Sequence, residues 1–409
     1  MFRPLFFASA SAFLAFAIQA GGQKPAASEI TFNKHISPIL SQKCIGCHYE
    51  GGPAPFKLTS YRDAKKHGDL IELMAILQKM PPTEGESDCG APAIYPKLTN
   101  GEVQLISRWL EGGMVEGDGN PADLTPPKVG WELGEPDVVL ETPAIQVPAQ
   151  GGTWKTVVRF PVDEKLAGEV NAFDIRAEDP WVDRQAILAV EKPKEPDTFR
   201  ATGLEISRVI GFWGLGYRPW KLPADAGIHV EKGSVLAVQM LYHPSGTAED
   251  GRFKIGLYFA KKPVSRRPYW ATLGTDSFTI TGEPRWTTLE ASYTLPDTAT
   301  LICIQPEARA LATQVWLSSN SDPGLGERDL MHIYRWDPRW AGAYNLENPP
   351  TLGRNTILKT SIEYDNSNHT DTGLSLSEVK LAPPRAPVHF GPREADELFW
   401  VHVQLLPVK

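Results

Sequence analysis

Five consecutive residues, Cys44-Ile45-Gly46-Cys47-His48, carry the clearest chemistry in the chain. Two thiols three positions apart on a helical turn can meet the two vinyl groups of one haem. The adjacent imidazole then falls on the iron, and the pattern is the attachment signature of covalent c-type haem. A C-x-x-C also occurs in thioredoxin-like redox pairs and as half of a zinc site. The immediate His48 and the lack of a second C-x-x-C favour haem. The sixth iron ligand is expected beyond the next helix. Met80, in Lys79-Met80-Pro81-Pro82, is the first candidate, because the prolines force the chain out of helix there and free its side chain. His67 and Met114 are the alternatives, and Met74 reads as core packing because it sits mid-helix. A His/Met pair gives a six-coordinate iron of raised potential, suited to electron transfer and closed to oxygen or peroxide.

The surrounding elements read as a small all-α cytochrome c domain over residues 29–118. An opening helix runs through Ile36, Ile39 and Leu40, and a middle helix through Leu70, Ile71, Met74 and Leu77. The last helix starts at Thr99-Asn100-Gly101-Glu102, where a Thr hydroxyl and a Glu three residues on form a capping box. Val103, Ile106, Trp109 and Leu110 then share one helical face. A Gly/Pro-rich linker follows over 119–130, ending near Pro126-Pro127. The period then changes to strand-like runs at Val138 to Glu141, Thr156 to Phe160, Val235 to Leu241 and Phe253 to Phe259, with turns such as Pro244-Ser245-Gly246. A second break from Lys261 to Pro268 divides this region into 131–262 and 263–409, each read as an all-β, jelly-roll-like sandwich.

Length and composition bound the rest. At 409 residues the chain exceeds one core, so two or three domains are expected. A net charge of -8 with no long single-sign run argues against a nucleic-acid partner. Residues 1–20 carry Arg3, an apolar stretch from Leu5 to Ile18 and a small-residue exit, which reads as a secretory signal cleaved after Ala20. The stretch is about 14 residues, short of the ~20 a bilayer span needs, so no membrane span is expected after cleavage. The product is expected in the periplasm or otherwise exported. Two thiols remain, Cys89 and Cys303; a disulfide is permitted in that compartment, but they fall in different domains and are read as buried singletons.

The segment Val235-Leu236-Ala237-Val238-Gln239-Met240-Leu241-Tyr242-His243-Pro244-Ser245-Gly246, with Ile255-Gly256-Leu257-Tyr258-Phe259-Ala260, resembles bacterial proteins of the copper type II, ascorbate-dependent monooxygenase family, of the peptidylglycine-hydroxylating kind. Trp109-Leu110-Glu111-Gly112-Gly113 is similar to the cytochrome fused to its bacterial members. Arg335-Trp336-Asp337, Tyr364-Asp365-Asn366-Ser367 and Asp396-Glu397-Leu398 are similar to its final sandwich. The resemblance implies two tandem sandwiches, each holding one copper through histidines and a methionine. The ligand positions are substituted here: Arg184 and Gln185 stand at a His-His pair and Leu241 at a third histidine. Glu307 and Arg309 stand at a His-x-His, and Leu398 at the methionine. Copper is therefore not an expected cofactor. His229, His243, His332, His369, His389 and His402 show no metal-ligand spacing, with His243 the best placed to rebuild a site. Arg184, Glu307 and Arg309 are instead expected to form ion pairs.

These readings favour an exported single-haem electron-transfer cytochrome, working with a redox partner protein or electron carrier, whose β module docks or binds a ligand. A copper monooxygenase fed by its own cytochrome, and a haem-based sensor or binding protein, are the alternatives. For the last, aromatic clusters at Phe212, Trp213, Tyr217 and Trp220, and at Tyr334, Trp336, Trp340 and Tyr344, can line a cleft or serve as packing.

Overall fold

A computed structural model of the chain describes residues 30–81, 97–126, 130–179, 182–195, 198–215, 219–283, 286–322, 326–338, 342–346, 348–367, 385–393 and 395–408. The signal segment 1–20, Cys89, Tyr217, Trp340 and His369 lie outside the described residues. A small N-terminal helical region precedes two β-rich regions, each built from several antiparallel sheets packed like a sandwich. Among the described residues no helix is long and apolar enough to cross a membrane.

The helical region opens with a wide turn at Phe32–Ile36 and continues as α1 (Ser37–Lys43), α2 (Tyr61–Lys66), α3 (Gly68–Ile76) and α4 (Asn100–Glu111). The capping box forms at α4: Glu102 N–H donates to Thr99 Oγ1 at 3.2 Å, and Thr99 N–H donates to the Glu102 carboxylate at 2.7 Å. Two otherwise orphaned amides are thereby satisfied. Ile106 and Trp109 turn inward onto Phe32, Ile36 and Leu40, and Phe32 lies between the rings of Tyr61 and Trp109.

The stretch expected to begin the linker is bound to this region. The buried Asn33 amide donates to the carbonyls of Gly117 and Gly119, both at 2.9 Å. Ala122 N–H reaches Ser37 Oγ at 2.8 Å, and Leu124 packs on the helical core. A buried amide needs acceptors, and this returning chain supplies them. Gly117, at φ +82°, passes so close that a Cβ there would lie 2.4 Å from Thr31.

In the first β region a five-stranded sheet contains Val138–Glu141, Phe253–Phe259, Gly168–Ala177, Trp220–Lys221 and Ile228–Val230. A four-stranded sheet runs Trp154–Pro161, Val235–Tyr242, Asp183–Glu191, Val209–Gly214. Val170, Ile175, Leu188, Leu236, Val238, Phe253 and Ile255 fill the space between them. The second region repeats the arrangement. Tyr269–Gly274, Trp400–Pro407, Ala299–Glu307, Tyr344–Asn345 and Thr351–Leu352 face a sheet of Trp286–Thr294, Ile357–Asp365, Ala312–Asp322 and Gly326–Ile333, around Leu301, Val315, Leu317, Ile362 and Phe399. A further apolar cluster joins the two regions: Ile187, Ala189, Val209 and Phe212 of the first meet Trp270, Cys303 and Ala343 of the second.

Candidate functional site

The Cys44–His48 motif begins where α1 ends. Its backbone closes as a tight turn, with Cys47 N–H and His48 N–H both donating to Cys44 O, at 3.2 and 3.0 Å. Both thiols and the imidazole are thus presented from one turn, half-buried. His48 Nδ1 lies 2.9 Å from Phe56 O, so the ring donates there and carries its lone pair on Nε2. Burial pulls the His48 pKa below its ordinary value, outweighing the pull of that carbonyl in the other direction, with His67 adding to the lowering. The neutral imidazole is the metal-binding form, and a carbonyl on the second nitrogen is the usual orienting partner of a ligating histidine. Phe56 also packs against His48 and stacks on His67 at 4.0 Å between ring centres.

The two thiols of C-x-x-C sit in the same turn, and Cys44 is the one at the end of α1. Burial, reinforced by Cys47, pushes its thiol up to about 12. A thioredoxin-like pair requires a depressed thiol pKa. Cys44 has the reverse.

α3 supplies the remaining feature. Ala75 is buried and Ile71 packs on the helical core, whereas Leu70, Leu73, Ile76 and Leu77 are exposed, from 40% to 55%. The expected single face through Leu70, Ile71, Met74 and Leu77 is thus divided: Ile71 goes inward, Leu70 and Leu77 outward. A short helix that is apolar on both sides is ordinarily covered on both sides. Met80, just beyond its end, is 39% exposed, and its N–H points back to Met74 O at 3.4 Å. The residues therefore fit a haem: a bracketed pair of thiols, a neutral oriented imidazole, and an uncovered apolar helix face with a thioether at its end.

Five of the six substituted positions fall in two groups. Gln185 and Leu241 are register neighbours on adjacent strands, and Lys155 is the partner of Leu241 on the next. Glu307, Arg309 and Leu398 gather where Ala299–Glu307 meets Trp400–Pro407. Lys155 is near enough to feel the charges of Glu307 and Arg309, so the two groups face one another between the sandwiches. The expected Arg–Glu side-chain pairing is not what holds Arg309. Its guanidinium donates to carbonyls, Ala201 O at 2.7 Å and Asp396 O at 3.1 Å, because a planar fork suits the carbonyl-rich turn it enters. Glu397 instead accepts the backbone amides of Arg309, Leu311 and Leu398, and burial pushes its pKa up to about 6. Glu307 lies 3.4 Å from Leu204 N and 3.8 Å from His402 Nε2. Arg184 is half-buried beside Asp179 and Asp183, and burial lowers its pKa.

The described histidines of the β module are dispersed. His243 bonds to Thr153, His229 to Glu169, His389 to Thr279 and His402 to Thr272, each through Nδ1. No group of three His, Cys, Asp or Glu converges among the described residues. Most of the aromatic clusters are packing: Phe212 meets Trp270, Trp213 meets Phe253, and Trp220 stacks on Phe173. Tyr334 is different. It is exposed and continues a row of rings in which Trp316 stacks on His332 at 4.6 Å and His332 packs tilted against Tyr334 at 3.8 Å. Trp316 escaped the sequence reading; its outward phase between buried Val315 and Leu317 was the available signal.

No family model matches the chain, and no curated protein matches it. Among solved structures, the PBSX exported protein XepA is 8% identical, with 58% of this chain and 89% of that one covered, at a TM-score of 0.18. A protein of Eubacterium rectale is 8% identical over 62% of this chain and 70% of that one, at 0.19. An infectious bursal disease virus structure is 10% identical over 69% and 79%, at 0.16. Scores this low do not establish a shared fold.

Proposed function

We propose that this chain is an exported single-haem c-type cytochrome for electron transfer, carrying a copper-monooxygenase-like β module that has lost its copper ligands and serves docking or binding. The observation that carries the reading is His48, its pKa lowered by burial and its ring oriented by Phe56 O with Nε2 free, in the same turn as Cys44 and Cys47. Cys44 and Cys47 would hold the haem covalently, and His48 and Met80 would hold its iron. When bound, the haem supplies a reversible one-electron change at iron. The protein's part would be to orient His48 through Phe56 O, to offer the apolar side chains of Leu70, Leu73 and Ile76 to the haem, and to supply the Met80 thioether as a second iron ligand. The substituted copper positions present guanidinium, carboxamide, carboxylate and isobutyl groups, a set poor in the imidazole and thioether donors that copper favours.

The test is the optical spectrum of the mature protein made in a host that attaches c-type haem. Reversible reduction with no carbon monoxide adduct is the expected result. A five-coordinate iron that binds carbon monoxide readily would favour the sensor reading.

A further inference from the structure

Two consecutive residues of the second sandwich, Tyr334 and Arg335, reach the helical region at two points. Arg335 Nη1 donates to Leu77 O at 2.8 Å. Leu77 is the C-cap of α3, where the last carbonyls lack intrahelical partners and a cation is favourable. Tyr334 presents its ring to the Lys97 ammonium, 5.4 Å from the ring centre. Lys97 precedes the α4 cap, and its own carbonyl accepts from Lys43 at 2.6 Å. These contacts fall on either side of the candidate iron ligand, at Leu77 and at Lys97.

The chain between Leu77 and Met80 folds back on the end of α3, where Gln78 N–H donates to Ala75 O at 3.1 Å. Gln78 has φ +51°, a left-handed conformation without the freedom of glycine, and Lys79 N–H and Met80 N–H both return to Met74 O, at 2.9 and 3.4 Å. Gln78, Lys79 and Met80 are all exposed. Tyr334 is in turn backed by His332, whose ring packs tilted against it and bonds through Nε2 to Gln314 Oε1 at 3.1 Å, and Trp316 stacks on His332. The second sandwich thus reaches, through Arg335, the end of α3 three residues before Met80.

We propose that Arg335 is a positioning residue for the sixth iron ligand, so that the second sandwich sets how firmly Met80 is held at the iron. The inference rests on the proposed haem site. It assigns the β module a role in the redox centre itself: loss of the Arg335 contact frees the α3 C-terminus, and the Met80 turn departs more often.

The test uses the full-length haem-loaded protein and imidazole as a competing ligand for the ferric iron. Arg335→Ala should bind imidazole roughly three- to tenfold more tightly than the parent, the range expected from losing one hydrogen bond. Its reduction potential should also fall, as it does when thioether ligation weakens. Arg335→Gln, which keeps an N–H donor without the charge, and Arg335→Lys should both return imidazole affinity toward the parent value. Arg335→Ala with parental imidazole affinity and potential would overturn the inference while leaving the cytochrome reading intact. A parent protein without covalent haem would overturn that reading first.

Discussion

His48 commits one ring nitrogen to Phe56 O and leaves the other free, while Met80 lies exposed just beyond the end of α3. Met80→Ala should therefore abolish the sulfur-to-iron charge-transfer band of the oxidised protein and leave the covalent haem in place; persistence of the band would move the ligand to Met114. Asp183 gives a second test at this scale. It is fully buried, its Oδ2 accepts amides of Asp179 and Arg252 at 3.0 and 3.3 Å, and its other oxygen has no hydrogen-bond partner. Burial, outweighing those two amides and aided by Asp179 and Glu178, pushes its pKa up to about 7. Unfolded, it titrates near 4. The folded state keeps a proton that the unfolded chain loses, so stability is full below about pH 4 and declines as pH rises to about 7. Urea titrations at pH 5 and 8 should show Asp183→Asn removing most of that decline, worth roughly 1–3 kcal/mol at pH 8; an unchanged slope would remove Asp183 from the account. The haem motif was legible because its chemistry is local in sequence. Phe56 O was not, since any backbone carbonyl can accept and the sequence does not mark which one will.

At the scale of elements, the α4 capping box and the strands near Val138, Val235 and Phe253 follow from local rules, and each stands where its residues place it. α3 departs from its expected pattern because it serves two neighbours. Ile71 and Ala75 meet the helical core, and Leu70, Leu73 and Ile76 face outward. A single apolar stripe cannot describe such a helix, and the surplus of leucines was the readable sign. If haem covers the outer face, Leu73→Ser should destabilise the haem-loaded protein by about 1–2 kcal/mol, the value of partly burying one leucine. The same change in a haem-free Cys44→Ala, Cys47→Ala background should have no measurable effect. Equal losses in both backgrounds, followed by thermal denaturation, would mean that protein and not haem covers this face.

For the whole molecule, the two β regions share an apolar contact in which Phe212 meets Trp270 and lies in one cluster with Cys303 and Ala343, and a polar part where Lys155 faces Glu307 and Arg309. Sequence periodicity separated these regions but gave no sign that they are cemented, because outward-facing residues such as Ile187 and Cys303 look like either core. Phe212→Ala should cost about 3–5 kcal/mol and split calorimetric unfolding of the β module into two transitions; a single transition at a lower temperature would show that the interface is not what couples them. The same scale contains the approach of Gln185 and Leu241, through Lys155, to Glu307 and Arg309, none of them an imidazole or thioether, which leaves the haem as the proposed redox centre of the chain. Metal analysis of the mature protein, purified from a host that attaches c-type haem and then exposed to copper and dialysed, tests this most directly. The account predicts about one iron per chain in covalent haem and no stoichiometric copper; a chain without covalent haem iron, or one retaining two coppers, would contradict it.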